Sequence, residues 1–149
     1  MQFLGDASNL ISLHLGDVIR SSSYYQTAAW GLENQPDFIN QVLLVNTPFS
    51  PAIALQKCLF IEKLLGRYRS QKWGPRTIDI DILFYENLQI QIPNLQIPHP
   101  FIQERNFVLQ PLAEIVPNWK HPKFHQTCSQ LAALSKDPLP TKKLQLIAL

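Results

Sequence analysis

Residues 78–82 read Ile-Asp-Ile-Asp-Ile, and no other stretch restricts the fold as tightly. In a strand, side chains at i and i+2 share a face. Ile78, Ile80 and Ile82 therefore point into one layer, while Asp79 and Asp81 project together from the other side. Carboxylates that close repel each other unless a cation lies between them or one holds a proton. The stretch opens with Gly74-Pro75, a loop signal, and Arg76 stands three residues before the first carboxylate. A cationic loop beside paired carboxylates suits a metal–phosphate ligand, because carboxylates take Mg²⁺ and a guanidinium takes phosphate oxygens. The plainer reading is a half-buried strand with a wet face, and these residues alone do not choose between the two.

At 149 residues the chain is long enough for a real core. A single domain over residues 1–149 is expected, with residues 135–149 as a C-terminal tail. Apolar residues are an ordinary 46% of the chain and charged residues a low 16%, which reads as globular rather than disordered. A net charge of +2, with Lys and Arg dispersed apart from a local excess at 67–76, argues against a nucleic-acid partner. The two cysteines, Cys58 and Cys128, are too few for a disulfide scaffold, and no Cys-x-x-Cys or His pair points to zinc. A reduced, cytoplasmic compartment is the default, and neither a membrane span nor a signal peptide is evident.

Phe3, Ala7, Leu10 and Ile11 recur at helical spacing and predict a helix over residues 1–15, ended by Gly16. Residues 18–27 and 38–47 are rich in β-formers and predict two strands, paired antiparallel because the link between them is too short for a crossover helix. Ser50-Pro51 reads as an N-cap and first helical position. The helix is expected to run to about Leu65, with Ala54, Cys58, Ile61 and Leu65 on its buried face and Gly66 closing it. A basic loop leads into the Asp strand, and Leu88 to Ile92 is expected to be a partner strand. Helical pieces follow near Phe101 to Glu104 and Phe107 to Ile115, and Thr127 caps a last helix to about Leu134. This order favours α+β with a mostly antiparallel sheet. The glycine signatures of Rossmann and P-loop folds are absent.

Several separated motifs occur in a fixed order: Trp-Gly-Pro-Arg-Thr-Ile-Asp-Ile-Asp-Ile-Leu-Phe, then Ile-Pro-His-Pro, then Glu-Arg-Asn-Phe-Val-Leu-Gln-Pro-Leu. Together with residues 21–42 upstream, they resemble the 6-hydroxymethyl-7,8-dihydropterin pyrophosphokinases of folate biosynthesis, over roughly residues 10–125. The resemblance implies a ferredoxin-like, three-layer α/β/α fold and a monomer. It also implies transfer of pyrophosphate from ATP to the pterin hydroxymethyl group with release of AMP, and two Mg²⁺ ions held by Asp79 and Asp81. Arg67 and Arg76 match the family's phosphate-contacting arginines, and Arg69, Trp73, Glu62 and His99 match positions near the nucleotide. Thr27, Trp30, Phe38, Asn40, Arg105 and Phe107 match positions around the pterin, with Phe38 and Phe107 flanking its ring. For each there is a plainer role: exposed charge for the arginines and Glu62, core for the aromatics, structural hydrogen bonding for His99.

The family ordinarily begins with a strand and a turn of the form Leu-Gly-Ser-Asn-Leu-Gly-Asp before the first helix. The chain as given starts within that helix. Losing an internal strand would expose ladder edges on two neighbours. The expectation is a start read short, because the downstream site residues are intact; the alternative is a non-catalytic remnant that binds pterin or nucleotide.

Overall fold

Four-residue spacing of small and branched apolar side chains builds the helices that organise this α+β chain. The computed structural model describes residues 2–28, 37–67 and 78–145. In chain order the elements are α1 (Gln2–His14), β1 (Asp17–Ser21), β2 (Tyr25–Thr27), β3 (Phe38–Asn40), β4 (Leu43–Asn46), α2 (Pro51–Arg67), β5 (Ile90–Ile92), β6 (Leu95–Ile97), a 3₁₀ turn (Ile102–Glu104), α3 (Asn106–Ile115), α4 (Cys128–Leu134) and β7 (Thr141–Lys143). They fall into two compact units, Met1–Ile19 with Leu44–His99 and Arg20–Leu43 with Pro100–Leu149. No helix among the described residues is long and apolar enough to cross a membrane.

In the first unit α1 packs on α2. Ala7, Ile11 and Leu15 are buried, and so are Ala54, Cys58, Ile61 and Leu65, the face expected from the sequence. Fully burying a side chain such as Ile61 contributes about 1.5–3 kcal/mol, and its side chain is wholly enclosed. Ser50 caps α2, its Oγ accepting the Ile53 N–H at 3.4 Å and its carbonyl the Ala54 N–H at 2.8 Å. The helix passes through Gly66, expected to stop it, and is described as far as Arg67. An interior glycine costs only about 1 kcal/mol, too little to end a helix held by the buried Leu65. Gly16 lets α1 turn into β1 against the backbone of Asn46 and Thr47, and the Thr47 hydroxyl donates to the Leu15 carbonyl at 2.7 Å.

Three strand expectations need correction. Residues 18–27 and 38–47 form two strands each, because the chain breaks at Ser22. There the Ser22 N–H donates to the Val42 carbonyl, and the Ser22 hydroxyl accepts the Val42 N–H, each at 2.9 Å. The antiparallel pairing holds for β2 with β3. The Asp stretch keeps its alternation, with Asp79 and Asp81 exposed between half-buried isoleucines, but residues 78–85 join no ladder. The Ile80 N–H goes instead to a side chain, the Glu62 carboxylate, at 2.7 Å. Accordingly Ile90–Ile92 does not pair with the Asp stretch; it forms an antiparallel hairpin with β6.

In the second unit the sheet order is β3-β2-β7, antiparallel throughout. The segment expected to be a C-terminal tail thus supplies a strand. Ile102, Leu109, Pro111, Leu112, Ile115, Cys128 and Leu131 are its core. Thr127 caps α4 as expected, in a capping box with Gln130: the Gln130 N–H donates to Thr127 Oγ1 at 3.1 Å, and the Thr127 N–H to Gln130 Oε1 at 2.9 Å. Helix α3 runs through Pro111, which is fully buried and lacks only one amide donor.

Glu114 of α3 ties this unit together. It accepts the Tyr25 hydroxyl, the Ser23 N–H at 2.9 Å and the Ser23 hydroxyl at 2.8 Å, with Lys143 Nζ at 3.8 Å. Burial alone would push this carboxyl up; the bonds from Tyr25 and Ser23 and the Lys143 charge outweigh it and hold it below its ordinary value. Burial first, then Glu114, pushes the Tyr25 phenol well above its ordinary value. A depressed carboxyl stabilises the fold above its ordinary pKa, and that contribution is lost as pH falls below about 4.5; a raised phenol stabilises below about 10 and is lost as pH rises beyond it. Denaturant melts should therefore show a stability plateau with an acid and an alkaline limb. Glu114→Gln should shrink the acid limb and leave much of the alkaline one, since burial dominates at Tyr25. An unaltered acid limb in that variant would refute the assignment.

Candidate functional site

The carboxylate pair is positioned from two sides within the first unit. Helix α2 sends Glu62 to the Ile80 amide, the peptide group between Asp79 and Asp81. Two residues beyond Asp81, the Leu83 carbonyl accepts the His99 N–H at 2.9 Å. His99 follows the cis Ile97–Pro98 bond and is half-buried. Glu62, Asp79, Asp81 and His99 are thus brought to one short segment, residues 78–83. Cys58 lies one helical turn before Glu62; burial pushes its thiol up to about 11, with the Glu62 and Asp81 carboxylates adding to the shift. Through its bond to the Ile80 amide Glu62 lies in one neighbourhood with Asp81, and the buried Cys58 thiol is inert.

The oxygen donors here fit Mg²⁺, which takes one or two carboxylates and completes its shell with water and substrate phosphates. Asp79 and Asp81 are both exposed, as such an arrangement requires. Among the described residues no group of three or more His, Cys, Asp or Glu side chains could hold a metal by itself. The donor set is therefore a pair that leaves room for a ligand's own oxygens.

The residues matched to the pterin belong to the second unit. Thr27 pairs with Phe38 on one side and Thr141 on the other, and Tyr25 pairs with Asn40 and Lys143. Directly opposed residues, and those two apart, share a face. Thr27, Phe38 and Asn40 thus share a face with Tyr25 and Lys143, the face that reaches Glu114 on α3. Phe107 lies two turns before Glu114, hence on the same stripe of α3. Phe38 is 57% exposed, a ring at the edge of the sheet rather than in the core. Arg105 precedes α3, its guanidinium 5.0 Å from the Phe101 ring centre and 5.7 Å from that of Phe107. Both are cation–π separations. Asp137 fixes the start of α3, accepting the Asn106 N–H at 2.8 Å.

Arg67 is the last described residue of α2. Trp30, Arg69, Trp73 and Arg76 lie outside the described residues. The sequence reading missed four contributors. Glu114 and Tyr25 lie 89 positions apart, and no local pattern links them. Thr141 sits in the tail; its hydroxyl and that of Thr27 are buried opposite each other without hydrogen-bond partners. Cys58 could have been found, because it lies four residues before Glu62 on one helix face.

Comparison with known proteins gives one consistent result. The sequence profile of 7,8-dihydro-6-hydroxymethylpterin-pyrophosphokinase matches residues 1–117. Proteins named 2-amino-4-hydroxy-6-hydroxymethyldihydropteridine pyrophosphokinase are similar to it. That of Synechocystis is 47% identical over 115 residues, 77% of this chain and 58% of its own length. That of Methylorubrum extorquens is 46% identical over 101 residues, 68% of this chain and 64% of its own length. That of Aquifex aeolicus is 44% identical over 110 residues, 74% of this chain and 69% of its own length. The aligned region thus covers about three-fifths of the first two relatives.

Proposed function

We propose, from the premise that the chain belongs to the 7,8-dihydro-6-hydroxymethylpterin-pyrophosphokinase family, that it transfers pyrophosphate from ATP to 6-hydroxymethyl-7,8-dihydropterin in folate biosynthesis. The observation that carries this reading is the exposed Asp79–Asp81 pair, with the amide between them held by Glu62. The pterin hydroxyl attacks the β-phosphorus of ATP and releases its proton to water, the bond from that phosphorus to the α–β bridging oxygen breaks, and AMP leaves with that oxygen. Two Mg²⁺ ions, when bound, neutralise the triphosphate oxygens. Asp79 and Asp81 would hold them. Arg67 and Arg76 stabilise charge moving onto the bridging oxygen, and His99, Arg69 and Trp73 complete the nucleotide side, with Glu62 near it. Phe38 and Phe107 flank the pterin ring by offset stacking. Asn40 offers donor and acceptor to its amide-like edge, and Thr27, Trp30 and Arg105 line the same site. The working form is a single ferredoxin-like, three-layer domain, monomeric and cytoplasmic.

Mixing the chain with ATP, Mg²⁺ and 6-hydroxymethyl-7,8-dihydropterin, and separating nucleotides by chromatography, should show AMP formed in step with the pterin diphosphate. Tight ATP binding with no AMP would instead mark a non-catalytic remnant.

A further inference from the structure

We propose that Glu62 is a positioning residue: by accepting the Ile80 amide it sets the directions in which Asp79 and Asp81 meet a divalent cation–triphosphate ligand. The inference rests on the nucleotide reading above, and it gives Glu62 a role other than contact with the nucleotide. Residues 78–83 have alternation and, among the described residues, no ladder partner, so no described strand neighbour holds their backbone. The Glu62 bond to Ile80, at 2.7 Å and charge-assisted, takes over part of that task. The peptide it grips joins Asp79 to Ile80. Fixing that plane limits ψ of Asp79 and φ of Ile80, and therefore the angle between the two carboxylates that flank it. Glu62 itself stands on α2, whose neighbouring turns are anchored by the buried Cys58, Ile61 and Leu65. A rigid helix thus transmits its position to an irregular segment, as groups behind metal ligands commonly do.

The geometry separates acceptor from charge. Glu62→Gln keeps an oxygen that can accept the Ile80 N–H, whereas Glu62→Ala removes it; both residues are strong helix formers, so α2 should persist. Calorimetric titration with Mg·ATP should show about a tenfold weaker Kd for Glu62→Ala and a Kd within about threefold of wild type for Glu62→Gln. Pterin affinity should stay near wild type in both. Amide exchange followed by NMR should speed up at Ile80 by about tenfold or more in the Ala variant only. A Gln variant as weak as Ala would show that the charge acts directly on the ligand and would overturn the proposal. So would an Ala variant with unchanged Mg·ATP affinity. A wild-type chain that binds no Mg·ATP would sink the nucleotide reading and this inference with it, an outcome distinct from wild-type binding left unaltered by both substitutions.

Discussion

Asp81→Ala is expected to abolish AMP formation, lowering turnover at least about 10³-fold, which corresponds to about 4 kcal/mol of lost transition-state stabilisation. The reason is the economy of the donor set. Two adjacent carboxylates are exposed on one segment, and no larger cluster of ligating side chains exists among the described residues. Removing one leaves half a pair, while the phosphate oxygens that would share the cation gain no substitute. The fold should tolerate the change, because Asp81 is exposed and its neighbours Ile80 and Ile82 supply the packing. Circular dichroism and the melting temperature should therefore stay near wild type while AMP release disappears. Asp81→Asn should be nearly as inactive, since its amide oxygen is a neutral and weaker ligand. Unchanged turnover in either variant would refute the cation assignment.

Gly16→Ala is expected to cost more stability than a methyl added at either of the other glycines among the described residues, Gly5 and Gly66. A Cβ at this position would stand 2.2 Å from the Asn46 carbonyl oxygen, 2.8 Å from the Thr47 Cα and 2.9 Å from the Asn46 carbonyl carbon. All three are backbone atoms, so no rotamer change relieves the clash. The connection between α1 and β1 would have to move away from Thr47, breaking the 2.7 Å bond from its hydroxyl to Leu15. Overpacking of this kind costs about 3 kcal/mol, which for a chain of this size lowers the melting temperature by about 6 to 12 °C. Thermal melts followed at 222 nm would measure it. A melting temperature within 2 °C or so of wild type would mean that the two backbones do not approach so closely.

Helices were legible in the sequence because their evidence is local. The three- and four-residue recurrence of Ala54, Cys58, Ile61 and Leu65 on α2, and Thr127 with Gln130 at the start of α4, carry their own geometry. The strands were legible only as propensity. Nothing near residue 80 says that its amide will be taken by a side chain 18 positions upstream, and nothing near Thr141 says that it will lie beside Thr27. Such pairings are long-range choices, made by whichever partner the packed helices bring within reach. The same division runs through the candidate site. Asp79 and Asp81 announce themselves by alternation, and Glu62 shares a helix face with the buried Cys58. The link from β2 to α3 through Tyr25 and Glu114 has no signature at all in either segment.

β7 lies outside residues 1–117, the part that matches the family, yet it covers the side of β2 that β3 leaves open. The strand bearing Thr27 consequently has no bare edge on which another molecule could grow a ladder. Trimming the chain to its recognisable part would uncover the β2 amides and carbonyls that now meet Thr141 to Lys143. Such a shortened protein would be sticky before it was unstable, with copies joining edge to edge in the manner of nascent fibrils. The boundary by which the family is recognised and the boundary of this three-stranded sheet are, in this chain, different places.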